Sequence, residues 1–278
     1  MTSSDLKKLD THFEFGANWA SFANTIDEQS IRCAEDGFLK LLTREELAGK
    51  SLLDIGCGSG IHSLAASRLG IARLVSADID PKCIATTTAL IKHHGGVRVA
   101  HEVREISVFD LEPTKHGTYD IVYSWGVLHH TGAMYEAIGR AAAMVKPGGL
   151  FTFALYRRTT AAMDKFWTAE KRWHVKASPG AKARANAVFT TLLSLRMKLT
   201  GTNFDDYVSA YKKDRGAQYA HDVSDWMGGY PYEVISPAEV ETLLQRLGFA
   251  AVRAIVERGS FGLFGSGCDQ FTYRRKQA

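Results

Sequence analysis

Asp54 and three glycines at alternate positions, Gly56, Gly58 and Gly60, stand in the run Leu52-Leu53-Asp54-Ile55-Gly56-Cys57-Gly58-Ser59-Gly60. Glycine belongs where the backbone takes positive φ or where a ligand must come close to the main chain. The N–H groups of a helix that starts there face the same ligand, so this turn suits a nucleotide-like cofactor. Dinucleotide enzymes use a related turn. The aspartate ahead of the first glycine and the G-x-G-x-G spacing favour another cofactor. Asp78 ends a second apolar run just before Pro81, and an acid at that tip is placed to hold ribose hydroxyls. Side chains for moving a proton follow: His129 and His130, Tyr156, and His221 with Asp225, whose spacing of four puts them on one helix face. Histidine titrates near neutral pH and suits a general base.

These residues need a scaffold. Strands and helices alternate over Ser51–Ile55, Ile61–Leu69, Leu74–Asp78, Pro81–His93, Glu105–Asp110, Tyr119–Ser124, Met134–Val145 and Leu150–Tyr156. Such alternation predicts a parallel sheet covered by helices on both faces, with right-handed crossovers. Upstream, Ile31, Ala34, Phe38, Leu41 and Leu42 recur at helical spacing. Before them lies the aromatic cluster His12-Phe13-Glu14-Phe15-Gly16-Ala17-Asn18-Trp19, read either as a flap over cofactor or substrate or as a clip packed on the core. Residues 157–231 are too long for a connection and too apolar for a linker, so they read as an inserted helical cap. The core resumes with a capping box at Ser236-Pro237-Ala238-Glu239 and a helix to Leu247. Strands Ala251–Glu257 and Cys268–Arg274 then flank the glycine-rich loop Gly259–Gly267. The expected fold is α/β, a Rossmann-like doubly wound sheet, mostly parallel with an antiparallel last strand. The expected domains are an N-terminal helical flap (1–48), a nucleotide-binding core (49–156), the cap on the substrate side (157–231) and a completion of the core sheet (232–278).

Taken in order, strand, D-x-G-x-G-x-G, helix, strand and acid resemble the class I S-adenosylmethionine (SAM)-dependent methyltransferases. Ile106–Leu111 looks like the adenine-side loop of that family, Tyr119–His130 like its fourth strand and following loop, and Lys146-Pro147-Gly148-Gly149-Leu150 like its turn into the fifth strand. These landmarks cover residues 48–156. The segments Phe13–Trp19, Tyr123–Gly132 and His221–Pro231 are similar to a bacterial small-molecule subgroup loosely labelled after ubiquinone methylases. The resemblance implies SAM as cofactor, with Asp54, Gly56, Gly58 and Gly60 around its methionine half and Cys57 filling space beneath. It implies Asp78 on the ribose, Asp110 beside the adenine, Phe109 and Ile79 as apolar contacts, and Trp125 opening the loop beside the reactive methyl. Asp110 as a loop cap is the alternative.

Methyl transfer from a sulfonium is an in-line displacement in which orientation and exclusion of water do most of the work. A hydroxyl acceptor also calls for a base, for which His129, His130, His221 and Tyr156 are the candidates. His130 matches a histidine common in the family, where it often packs; His129 is the more variable of the two. His221 with Asp225 reads as a dyad or as an ordinary helix end before Gly228-Gly229. The sequence reading favours O-methylation of a small molecule, aromatic or glycosidic. N- or C-methylation, another SAM reaction on this fold and a SAM-binding regulatory protein are the competing readings.

Composition narrows the class. The 278 residues are 45% hydrophobic and 23% charged, ordinary for a globular protein. No apolar run is long enough to span a bilayer, and Met1–Lys8 has no signal-peptide core, so a cytoplasmic enzyme is expected. Cys33, Cys57, Cys83 and Cys268 are scattered, which points to neither zinc nor disulfides. His221, Asp222 and Asp225 lack a third well-spaced carboxylate in the core, and no metal is expected. The net charge of +4 is too mild for a nucleic-acid partner. A homo-oligomer is compatible with all of this.

Overall fold

Apolar runs bounded by glycine turns become the strands of one sheet in the computed structural model, which describes residues 15–94, 99–215, 219–256 and 262–277. The strands are β1 (Ser51–Ile55), β2 (Arg73–Asp78), β3 (Ala100–Glu105), β4 (Tyr119–Trp125), β5 (Val145–Tyr156), β6 (Phe249–Ile255) and β7 (Cys268–Arg275), in the order β3-β2-β1-β4-β5-β7-β6. β1 to β5 pair in parallel, and β7 runs antiparallel to both β5 and β6. The strand order reverses between β1 and β4, and in open α/β sheets ligands bind at such a switch, beyond the carboxyl ends of the strands. The glycine turn and the His129-His130 loop leave the sheet at that place.

The helices are α1 (Phe15–Ala23), α2 (Glu28–Leu41), α3 (Arg44–Leu47), α4 (Ile61–Arg68), α5 (Pro81–His94), α6 (Pro113–His116), α7 (Met134–Ala143), α8 (Ala161–Lys176), α9 (Pro179–Leu199), α10 (Phe204–Arg215), α11 (Tyr219–Gly228) and α12 (Pro237–Arg246). Strand residues divide between the two faces with the period of two that a pleat dictates. Leu53, Val75, Val122 and Phe151 face a core shared with α7 and α12. Leu52, Leu74, Ile121 and Leu150 face one shared with Phe38 and Leu42. Because both faces are covered, these strands read as continuous apolar runs. The expected helix start is present in detail, with Ser236 and Glu239 forming the capping box of α12, and Asp27 caps α2 by accepting from Ser30 N–H.

The third strand differs from the sequence expectation. It occupies Ala100–Glu105, and the expected segment Glu105–Asp110 is mostly a loop ending in a short 3-10 turn, Val108–Asp110. The physical reason is its place at the sheet edge, where Ala100-His101-Glu102-Val103-Arg104-Glu105 is half solvated and carries no strong apolar signal. His12, Phe13 and Glu14 of the aromatic cluster, and Glu257 with Gly259–Phe261, lie outside the described residues.

Where β5 gives way to α8, Arg157 forms a buried ion pair with Asp269 of β7, its Nε 2.9 Å and its Nη2 2.8 Å from the carboxylate oxygens. A buried charge pair of this kind is costly to break from one side, so the junction between β5 and α8 is firmly held.

Candidate active site

The glycine turn follows β1. Gly56 has φ 76, and a Cβ built there would stand 2.4 Å from a Val127 methyl. Gly60 has φ 84 at the start of α4, and a Cβ there would meet the Thr87 backbone at 2.9 Å. Only glycine allows both the left-handed backbone and these approaches. Asp54 sits beneath the turn, fully buried, and accepts a 2.6 Å hydrogen bond from Ser63 of α4. Burial pushes its carboxyl up to about 7. Cys57 is buried next to it, taking a 3.3 Å hydrogen bond from the Thr87 hydroxyl.

Asp78, at the end of β2, accepts from Gly58 N–H at 3.0 Å and from Asp80 N–H at 2.9 Å. Burial raises its pKa, and the two backbone donors oppose that rise. The acid therefore ties the tip of β2 to the glycine turn.

Between these elements and α11 lies a cavity that opens to solvent. It is lined by Gly56, Asp78, Ile79, Val108, Phe109 and Trp125 and also by Val127, His130, Thr131 and Asp225. Phe15 and Trp19 of α1 also line it, and Trp19 packs so closely on Gly58 that a Cβ there would be 3.2 Å from its ring. Of the residues expected around the cofactor, Gly56, Asp78, Ile79, Phe109 and Trp125 line the cavity. Asp54, Cys57, Gly58, Gly60 and Asp110 stand outside its lining. Asp80, Val108 and Asp225 line it without having been assigned there. Phe15 and Trp19 were legible as an aromatic cluster, and Asp225 as the partner of His221.

The proton-transfer candidates separate. His130 lines the cavity, and its Nδ1–H donates to the Pro231 carbonyl at 2.6 Å. A carbonyl only accepts, so in the neutral ring the lone pair is on Nε2. His129 is fully buried away from the lining, takes a 3.3 Å hydrogen bond on Nδ1 from Tyr156 N–H, and is held well below its ordinary pKa by burial. Tyr156 also lies behind the cavity wall, its ring 3.9 Å from His129 and 5.2 Å from both His130 and Trp226. Burial raises its phenol well above the usual range. His221 faces Phe22, with ring centroids 6.2 Å apart, and is not in the lining.

Asp225, one turn along α11 from His221, is in the lining, and its Oδ1 is buried without a hydrogen-bond partner. Burial pushes its carboxyl up to about 7; Asp222 adds to the rise and Lys171 opposes it. Lys171 is itself buried, with its Nζ donating to the Trp226 carbonyl and lying 3.9 Å from the centre of the Trp226 ring. Glu233 ties the histidine loop to the end of the cap, accepting from Met134 N–H while its own N–H donates to the His129 carbonyl. Asp222 accepts from the Tyr211 hydroxyl at 2.6 Å, and among the described residues no group of three His, Cys, Asp or Glu could hold a metal ion.

A family model described as a methyltransferase domain matches residues 26–254. The chain belongs to the class I SAM-dependent methyltransferases. Among curated relatives, this methyltransferase is 36% identical over 120 residues to the ubiquinone biosynthesis O-methyltransferase of Xanthomonas euvesicatoria pv. vesicatoria, a match covering 43% of the chain and 48% of that protein. It is 28% identical over 162 residues to the enzyme of the same name from Burkholderia multivorans, covering 57% and 66%. The chain thus spans about half the length of the curated relatives it matches first. In fold it is similar to magnesium protoporphyrin IX methyltransferase from Synechocystis PCC 6803 with bound SAH. That match has a TM-score of 0.52 and 14% identity, and covers 89% of the chain and 82% of the other. The cofactor of this methyltransferase is SAM, and the cavity fits it: an acid at the tip of β2, close backbone at Gly56 and apolar walls in Ile79, Val108 and Phe109. No helix among the described residues is long and apolar enough to cross a membrane.

Proposed function

We propose that this methyltransferase moves the methyl group of SAM to a hydroxyl oxygen of a small aromatic acceptor. The observation that carries the reading is that a single cavity is lined by Asp78 and Phe109 together with His130 and Asp225. The names of the curated relatives, ubiquinone biosynthesis O-methyltransferases, support oxygen as the methylated atom and a phenol as the acceptor class.

SAM, when bound, supplies a methyl carbon made electrophilic by its sulfonium. Asp78 would hold the ribose hydroxyls, with Ile79, Val108 and Phe109 against the adenine and Gly56 beside the methionine half. Asp54, Cys57, Gly58 and Gly60 shape the turn from beneath, and Asp110 ends the adenine-side loop. Phe15 and Trp19 exclude water from above, which strengthens every polar contact inside. Residues 157–231 form the acceptor side, where Asp225 receives the proton of the acceptor hydroxyl as that oxygen is methylated. Its unpartnered Oδ1 suits it to the task, and a pKa near the working pH is what a general base needs. His130, its ring fixed by Pro231, shapes the cavity wall beside the acceptor.

Calorimetric titration with SAM and S-adenosylhomocysteine tests the cofactor, and transfer of a radiolabelled methyl group to phenols, catechols and amines tests the acceptor. Binding of both adenosyl compounds with label entering phenols is the expected result. No binding overturns the reading, and label entering only amines moves the methylated atom to nitrogen.

A further inference from the structure

α7 begins without a cap of its own. Ala133, the residue ahead of it, has no side-chain oxygen to offer the first turn, where the leading N–H groups of a helix lack partners within it. Serine, threonine, aspartate or asparagine ordinarily fills that place. Here a carboxylate from 99 residues downstream does so. Met134 N–H is shared between the two oxygens of Glu233, at 3.0 and 3.2 Å, and Gly132 N–H donates to the same carboxylate. Ala133 N–H, between them, goes to the Thr131 hydroxyl at 3.4 Å. The helix dipole also favours an anion at this end.

The main chain around Glu233 grips the same loop. Glu233 N–H donates to the His129 carbonyl at 3.0 Å, and the Pro231 carbonyl accepts from His130 Nδ1 at 2.6 Å. Residues 231–233 thus hold the loop at His129, His130, Gly132 and Met134. His130 and Thr131, in the middle of that loop, line the cavity. Residues 231–233 follow directly on α11, whose Asp225 lines the same cavity. Glu233 itself is not in the lining.

We propose that Glu233 is a positioning residue for methyl transfer. As a cap for α7 supplied from beyond α11, it sets the loop carrying His130 and Thr131 against the wall carrying Asp225. The inference rests on the reading that the acceptor lies beside those side chains. Glu233→Gln keeps one accepting oxygen and replaces the other with an amide nitrogen that cannot accept. Glu233→Ala removes both.

The test uses the full chain and both variants, well below their thermal midpoints. It measures SAM affinity by calorimetry, kcat and KM for whichever acceptor takes the label, and the ring signals of His130 by NMR. Expected is a kcat/KM for the acceptor lower by about 10-fold in Glu233→Gln and about 10²-fold in Glu233→Ala, the loss that a displacement near 1 Å brings. SAM affinity stays at the wild-type value. The His130 signals move while those of His101, on β3, do not. Wild-type kcat/KM in both variants, a fall in SAM affinity matching the fall in turnover, or unmoved His130 signals overturns the proposal. If Glu233→Ala does not fold, Glu233→Gln decides. Failure of the acceptor reading shows separately, as wild type that labels no phenol, and the His130 signals then decide the role of Glu233.

Discussion

Gly229 and His130 leave no room for a side chain between them: a Cβ on Gly229 would stand 2.8 Å from His130 Cε1 and 2.9 Å from the Asp225 carbonyl oxygen. That carbonyl also accepts the Gly229 N–H at 2.8 Å, closing the end of α11. The backbone side of this contact is thus held, and the ring would have to yield. Gly229→Ala is expected to cost about 1–3 kcal/mol in stability through overpacking and to lower turnover by about 10- to 100-fold through displacement of the ring. Urea unfolding and steady-state kinetics check both. A fully active variant would show that His130 is not constrained from this side.

Asp78 joins the glycine turn and the cavity through its two backbone hydrogen bonds. Asp78→Ala is expected to weaken SAM binding by about 1–3 kcal/mol, the cost of leaving polar partners unpaired in a buried site. Calorimetry gives this directly, and unchanged affinity would remove Asp78 from the ribose.

Asp225 makes a pH-dependent case with two signs to work out. The ionised form is the base, so kcat/KM is expected to rise with pH through about 7, where burial has moved the carboxyl. Asp225→Asn is expected to lose that limb and about 10²–10⁴ in turnover. Stability runs the other way. A carboxyl raised above its unfolded value favours the protonated native state, a contribution complete at low pH and lost as pH rises through about 7. The Asn variant is therefore expected to melt higher than wild type at pH 8, with the gap closing toward pH 4. Calorimetric melting across that range decides it, at about 2–4 °C per kcal/mol for a chain of this size.

His129 and His130, adjacent in sequence, are expected to respond differently to truncation. His130→Ala is expected to lower turnover by about 10²-fold through loss of positioning and to cost about 1–3 kcal/mol of stability by leaving the Pro231 carbonyl unpaired. His129→Ala empties a fully buried site and is expected to cost roughly 2–4 kcal/mol of stability while leaving SAM affinity within a few-fold. Paired urea melts and kinetics separate the two. A large fall in turnover for a well-folded His129 variant would return the base to that residue.

The turn after β1 and the acid ending β2 were legible because their signals are local. Asp54, the three glycines and Asp78 are needed for backbone conformation, close approach and the tip of a strand, and each of these is written in neighbouring residues. The alternation of apolar strands and helices likewise determined a parallel sheet, since strands buried on both faces must be apolar throughout. Polar β3 escaped that logic because a sheet edge is half solvated.

What the tertiary structure decided was which of the candidate proton-transfer side chains reach the cavity. The Pro231 carbonyl engages His130 while the end of β5 encloses His129, so two adjacent, chemically identical residues differ in access. The same holds on α11, where His221 meets Phe22 and Asp225 meets the cavity. Access depends on packing between segments far apart in the chain, and no local pattern of residues encodes it.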